Sequence, residues 1–136
     1  MKISVSVGSA YYDGERWSDL VDYVKVAERL GVETVWSAEA WGMEAVSSLA
    51  YLAAATDRIK LGSGIMQISA RTPAMTAMTA LSMAQLSGDR FLLGLGVSGP
   101  QVVEGLHGED FARPLSRLRE YIEVVRIMLR GERVAY

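Results

Sequence analysis

The chain has 136 residues, about one average domain, with 50% hydrophobic and 22% charged residues and only three prolines, which excludes a disordered or collagen-like polymer. A net charge of −2 offers no broad basic face to nucleic acid or anionic lipid. The absence of cysteine rules out disulfides, Cys-based metal sites and a thiol nucleophile, and a single histidine argues against a His-rich metal site. No apolar run approaches the roughly 18–20 residues of a membrane span, and the opening MKISVSVG lacks a signal peptide's long apolar region. These features predict a cytoplasmic protein with no resident metal and no membrane or nucleic-acid partner.

Short apolar runs at residues 3–7, 34–36, 59–62 and 91–95 begin 31, 25 and 32 residues apart, the spacing of successive βα units. The first intervening helix carries Trp17, Leu20, Val21, Val24, Ala27 and Leu30 on one stripe, with Gly31 at its C-terminal end. The second runs from about Glu44 to Thr56 and is rich in small residues. The third starts at Thr72-Pro73, a cap followed by proline at the first helical position, and stops near Gly88. Its Met75, Met78 and Met83 are expected to be packing residues. A loop of about a dozen residues follows Pro100. The fourth helix begins near Pro114, with Leu115, Leu118, Ile122, Val125 and Leu129 predicted as its buried face, and Gly131 follows it. A new extended segment is expected at residues 132–136. The pattern predicts one domain over residues 1–136, a parallel sheet that is either a small open sheet or half of a barrel. Half a barrel leaves the first and fourth strands with free edges.

Three strand ends carry residues suited to chemistry. Gly94-Leu95-Gly96-Val97-Ser98-Gly99 reads as G-x-G-x-x-G, but it follows the fourth strand and no helix opens with it, against a dinucleotide fingerprint. A glycine-rich strand end beside a flat ligand, or a simple tight turn, fits better. In the third strand, Gly62 and Gly64 interrupt an apolar run, as at a bulge or where a ligand approaches closely. Arg71 beyond them is either in a structural ion pair or in contact with a ligand. At the second strand's end, Glu39 and Trp41 are placed either to serve an active site or to cap the next helix and fill the adjoining layer. His107 reads more readily as a loop histidine than as a catalyst.

Residues 59–67, then Arg71-Thr72-Pro73-Ala74, the run Leu86-Ser87-Gly88-Asp89-Arg90-Phe91, and Gly94 through Gly105 form a connected signature. It resembles the luciferase-like flavin and deazaflavin superfamily, specifically coenzyme F420-dependent oxidoreductases related to methylenetetrahydromethanopterin reductase. The resemblance covers nearly the whole chain and implies the α/β fold of those enzymes: about four βα units, the N-terminal half of a (β/α)8 TIM barrel. Members are commonly more than twice this length, so the chain corresponds to a domain truncated before the barrel's second half.

The resemblance further implies a hydride moving between a small organic substrate and C5 of coenzyme F420, or N5 of FMN in a monooxygenase on the same scaffold. By motif position, Gly64 and Ile65 form a bulge, often with a cis peptide bond, that braces the ring from behind. Gly96, Val97 and Ser98 supply backbone and hydroxyl contacts. Several relatives carry an Asp-His pair where Glu39-Ala40 stands here, so Glu39 is the catalytic candidate and the imidazole is missing. A homodimer through the second and third helices is expected, by way of Ala50, Ala53, Ala54, Ala55, Ala74, Ala77, Met78 and Ala80. A non-catalytic half-barrel acting in assembly or cofactor carriage is the reading from another class.

Overall fold

The computed structural model describes residues 2–7 and 16–135. Four βα units appear in the expected order. The first is β1 (Ser4–Ser6) with α1 (Trp17–Arg29), and the second is β2 (Thr34–Ser37) with α2 (Ala45–Ala55). The third strand is broken into β3 (Lys60–Ser63) and β4 (Met66–Gln67), followed by α3 (Pro73–Ser87). The fourth is likewise broken into β5 (Phe91–Leu92) and β6 (Leu95–Gly96), followed by a short α4 (Pro100–Val103) and by α5 (Pro114–Leu129). All strand pairs are parallel, in the order β1-β2-β3-β5, with β4 and β6 continuing the last pair as a separate ladder. Residues 132–135 form no strand, and Tyr136 lies outside the described residues.

One face of the sheet packs on the helices. Val35 of β2 and Leu61 of β3 are fully buried there with Leu20, Val24, Leu49, Leu52, Ile59, Met66 and Met83. The opposite face carries Ser6, Trp36, Gly62 and Leu92, which are neighbours in register. A Cβ at Gly62 would overlap the Trp36 ring, so the glycine is what allows the indole to lie flat across β3. A second cluster, Ile68, Ala77, Tyr121 and Val125, joins α5 to α3.

The helix ends follow their local chemistry. Thr72 Oγ1 accepts from the Met75 N–H at 3.2 Å, and Pro73 opens α3 without wasting a donor. Gly88 closes α3 in the left-handed region at φ 63°. Glu44 caps α2 by accepting from the N–H groups of Val46 and Ser47, both at 2.7 Å.

Four expectations need correction. Residues after Gly99 do not form a plain loop, because Pro100 at the first helical position pre-sets the backbone for the turn of α4. Met83 is buried, but Met75 and Met78 are 51% and 58% exposed. Ser, Thr and Ala separate the apolar residues of α3, so its composition does not mark which side faces the core. On α5, Leu115 and Leu129 are exposed, and the buried positions are Tyr121 and Val125. Leu30, on the stripe predicted for α1, is also exposed, because it lies at the helix's C-terminal cap, outside the packed turns.

Candidate active site at the strand C-terminal ends

The break in the third strand is a bulge of one residue. Gly62 pairs with Leu92, but the next paired residue, Met66, lies opposite Leu95. Three residues, 63–65, therefore face only two, 93–94, and the extra residue is accommodated at Gly64–Ile65, where the peptide bond is cis. Ser63 seals the gap: its hydroxyl donates to the Gly94 carbonyl and accepts from the Gly94 N–H, each at 2.9 Å. A Cβ at Gly94 would collide with the Ser63 carbonyl oxygen, so only glycine lets the two strands approach this closely. The bulge is also tied to β2, since Gly64 N–H donates to Ser37 O at 2.7 Å and Glu39 N–H donates to Ile65 O at 3.2 Å.

The bulge meets the fourth strand where the sequence predicts a shared site. A Cβ on Gly96 would stand 3.0 Å from Ile65 Cγ1, so Ile65 packs over bare backbone at the start of the Gly96–Ser98 segment. Gly64 itself is exposed. Ser98 has φ 59°, a left-handed conformation that non-glycine residues adopt infrequently and that occurs preferentially at functional sites. The structure thus brings Gly64, Ile65, Gly96, Val97 and Ser98 to one end of the sheet.

Glu39 is 6% exposed, and both its oxygens are engaged. Oε1 accepts from Ala45 N–H at 3.1 Å at the start of α2; Oε2 accepts from Gln67 N–H at 3.2 Å and from Arg71 Nη1 at 2.7 Å. Arg71 also reaches Glu44 Oε2 at 3.3 Å. Burial acts to lower the Arg71 pKa, but the bond to Glu39 and the charges of Glu39 and Glu44 outweigh it and raise the pKa above its ordinary value. Burial acts to raise the Glu44 pKa, yet hydrogen bonds from Ser47 and Val46 and the Arg71 charge bring it below the usual carboxylate range. The Arg71 backbone is held in turn by Tyr121, whose hydroxyl contacts the carbonyls of Arg71 and Thr72 at 3.0 and 3.1 Å and Thr76 Oγ1 at 2.5 Å.

Two groups join this site without a clear sequence signal. Gln67 is buried on β4, and its Nε2 lies 2.8 Å from His107 Nε2. A depression of about 200 Å³ is lined by Glu39, Met43, Gln67, Arg71, Leu106 and His107, among others. Trp41 is exposed beside this region and does not fill the layer between sheet and helix.

The sequence model of the luciferase-like monooxygenase family matches residues 1–136. The chain belongs to this family. A Mycobacterium tuberculosis protein named as a coenzyme F420-dependent oxidoreductase is 48% identical over 126 residues, a match covering 93% of this chain and 36% of that protein. The coenzyme F420-dependent tetrahydromethanopterin reductase of Methanopyrus kandleri superposes with a TM-score of 0.83 at 25% identity, over 99% of this chain and 42% of that one. The oxygenating constituent of 3,6-diketocamphane monooxygenase from Pseudomonas putida, solved with FMN, shares the fold with a TM-score of 0.81 at 15% identity, over 94% of this chain and 39% of that one. The chain therefore spans well under half the length of these relatives, and its four βα units are half of a (β/α)8 barrel. Among the described residues no helix is long and apolar enough to cross a membrane.

Proposed function

We propose that this chain supplies the ring-bracing half of a coenzyme F420-dependent oxidoreductase that exchanges a hydride with a small organic substrate. The observation that carries this reading is the one-residue bulge at Gly64–Ile65 set against Gly96–Ser98, which presents a platform of nearly bare backbone to a flat ring. When bound, the deazaflavin supplies hydride chemistry at C5. Ile65, seated over the bare backbone of Gly96, gives apolar support from behind, Gly64 keeps a side chain out of the ring's path, and Val97 and Ser98 contribute backbone and hydroxyl contacts. Glu39 serves as a positioning residue: its three side-chain hydrogen bonds fix β4, the start of α2 and Arg71.

Titration with F420 and with FMN, followed by fluorescence, tests the reading. F420 is expected to bind, and Gly64→Ala to weaken it at least fivefold. A Cβ at Gly64 would come no nearer than 3.4 Å to Trp36, an ordinary contact, so the variant keeps its fold. Binding of FMN alone favours the monooxygenase reading, on which FMN is the cofactor of the same platform. Binding of neither favours the non-catalytic half-barrel.

A homodimer is part of the same proposal. Tyr51 and Ala54 of α2 and Met75, Met78 and Leu81 of α3 are exposed, whereas Ala53, Ala77 and Ala80 already pack inside the protomer. The interface therefore uses the outer set, where flexible methionines fill uneven gaps. Light scattering is expected to give a dimer that Met78→Arg dissociates.

A further inference from the structure

The same mouth holds an imidazole that enters from the turn after α4, whereas the missing one would follow β2. His107 sits on the turn after α4, and that turn is built rather than loose. Leu106 and His107 N–H groups both donate to Val102 O at 3.1 Å, Gly108 N–H donates to Glu104 O at 3.2 Å, and a Cβ at Gly105 would press on the Gln101 carbonyl. The turn brings the ring to Gln67, 40 residues earlier in the chain. Gln67 is itself anchored through its backbone N–H to Glu39 and is 3% exposed.

The contact fixes a tautomer. An amide nitrogen donates and does not accept, so Gln67 Nε2–H donates and His107 Nε2 accepts at 2.8 Å. Gln67 Oε1 in turn accepts from the Ser69 hydroxyl at 3.5 Å. With Nε2 accepting, the neutral ring carries its proton on Nδ1. Nδ1–H is then a donor on a ring that lines the depression shared with Glu39, Arg71, Met43 and Leu106. Glu39 and Glu44 together outweigh Arg71 by one negative charge, so the depression repels an anion.

We infer that His107 is a substrate-binding residue, held by Gln67 as the Nδ1–H tautomer, and that it takes the uncharged oxygen, a carbonyl or hydroxyl, of the molecule exchanging hydride with the cofactor. The role in hydride exchange rests on the F420 reading above; the tautomer and the preference for a neutral oxygen do not.

The chain's one histidine makes the test direct. Long-range proton–nitrogen NMR of the chain labelled with 15N-histidine reads one imidazole. The parent is expected to show Nδ1–H with Nε2 unprotonated, and Gln67→Leu to show exchange between both tautomers. Cyclohexanone and cyclohexyl phosphate serve as a matched pair of probes. Cyclohexanone is expected to shift the His107 signals while cyclohexyl phosphate does not, and His107→Phe to weaken cyclohexanone binding about five- to tenfold, the worth of one hydrogen bond. An Nε2–H tautomer in the parent, a phosphate ester preferred to the ketone, or no response to either overturns the proposal. Failure of F420 to bind in a parallel titration overturns the cofactor reading alone, since the tautomer and the probe preference are read without it.

Discussion

Removing the Arg90 guanidinium tests the account of how the half-barrel is held. Arg90 spends all five of its N–H donors on the protein: Nε on Ser87 O at 2.6 Å, Nη1 on Thr56 Oγ1 and Ile59 O at 3.0 Å, and Nη2 on Ala53 O and Thr56 O at 2.9 Å. Two of these acceptors, Ala53 O and Thr56 O, lie at the end of α2, where helical carbonyls have no intrahelical partner, and Ser87 O lies at the end of α3. One side chain thus ties two helix ends to the segment entering β3.

Arg90→Ala leaves four carbonyls and a hydroxyl to find water in a half-buried site. A hydrogen bond to a charged group nets about 1.5–3 kcal/mol, and partial rehydration returns part of the sum, so the expected loss is about 3–5 kcal/mol. With a urea slope of roughly 1.5 kcal/mol per molar, the unfolding midpoint falls by about 2–3 M. Arg90→Lys keeps the charge but only three donors on a flexible stem, and is expected to lose about half as much. A loss below about 1 kcal/mol for Arg90→Ala in urea titrations followed by circular dichroism would refute the reasoning.

Other perturbations separate packing from function. Gly94→Ala drives a Cβ into the Ser63 carbonyl and is expected to lower stability by about 1–3 kcal/mol in the same titration, whereas Gly64→Ala leaves stability nearly unchanged. Ser63→Ala removes both hydroxyl bonds to Gly94 and is expected to cost about 1–2 kcal/mol, measured by the urea midpoint. At Glu28, burial acts to raise the pKa, but N–H groups of Asp57, Arg58 and Ile59 all bond to Oε1 and bring the pKa below the usual range. The stabilisation is therefore present above the unfolded pKa of 4.5 and is lost as pH falls through the lower folded value. Thermal unfolding of Glu28→Gln is accordingly expected to vary less than the parent between pH 6 and pH 3.

How far the sequence reveals this structure depends on the range of each interaction. Strands and helices are legible because their signals are local: β-branched runs, Thr72-Pro73 at one end of α3 and Gly88 at the other. The bulge is legible too, since Gly62 and Gly64 in one strand and Gly94 and Gly96 in the next mark where backbones must approach. The phase of α3 is not, because a helix with apolar residues all round has no charged side to mark the solvent, and Met75 and Met78 therefore look like Met83. The partners of Arg90, Glu39 and His107 are harder still. Arg90 bonds across 31–37 residues, Glu39 meets Arg71 across 32, and Gln67 meets His107 across 40. Such pairings depend on strand register, and the bulge shifts that register by one residue between Gly62–Leu92 and Met66–Leu95. Carried past Ser63 without the shift, the register of β3 and β5 would set Gly96 opposite Met66 instead of Gln67. The extra residue at the Gly64–Ile65 bulge therefore also sets which β4 residue lies level with Gly96, so the proposed ring platform and the placement of Gln67 come from the same local defect.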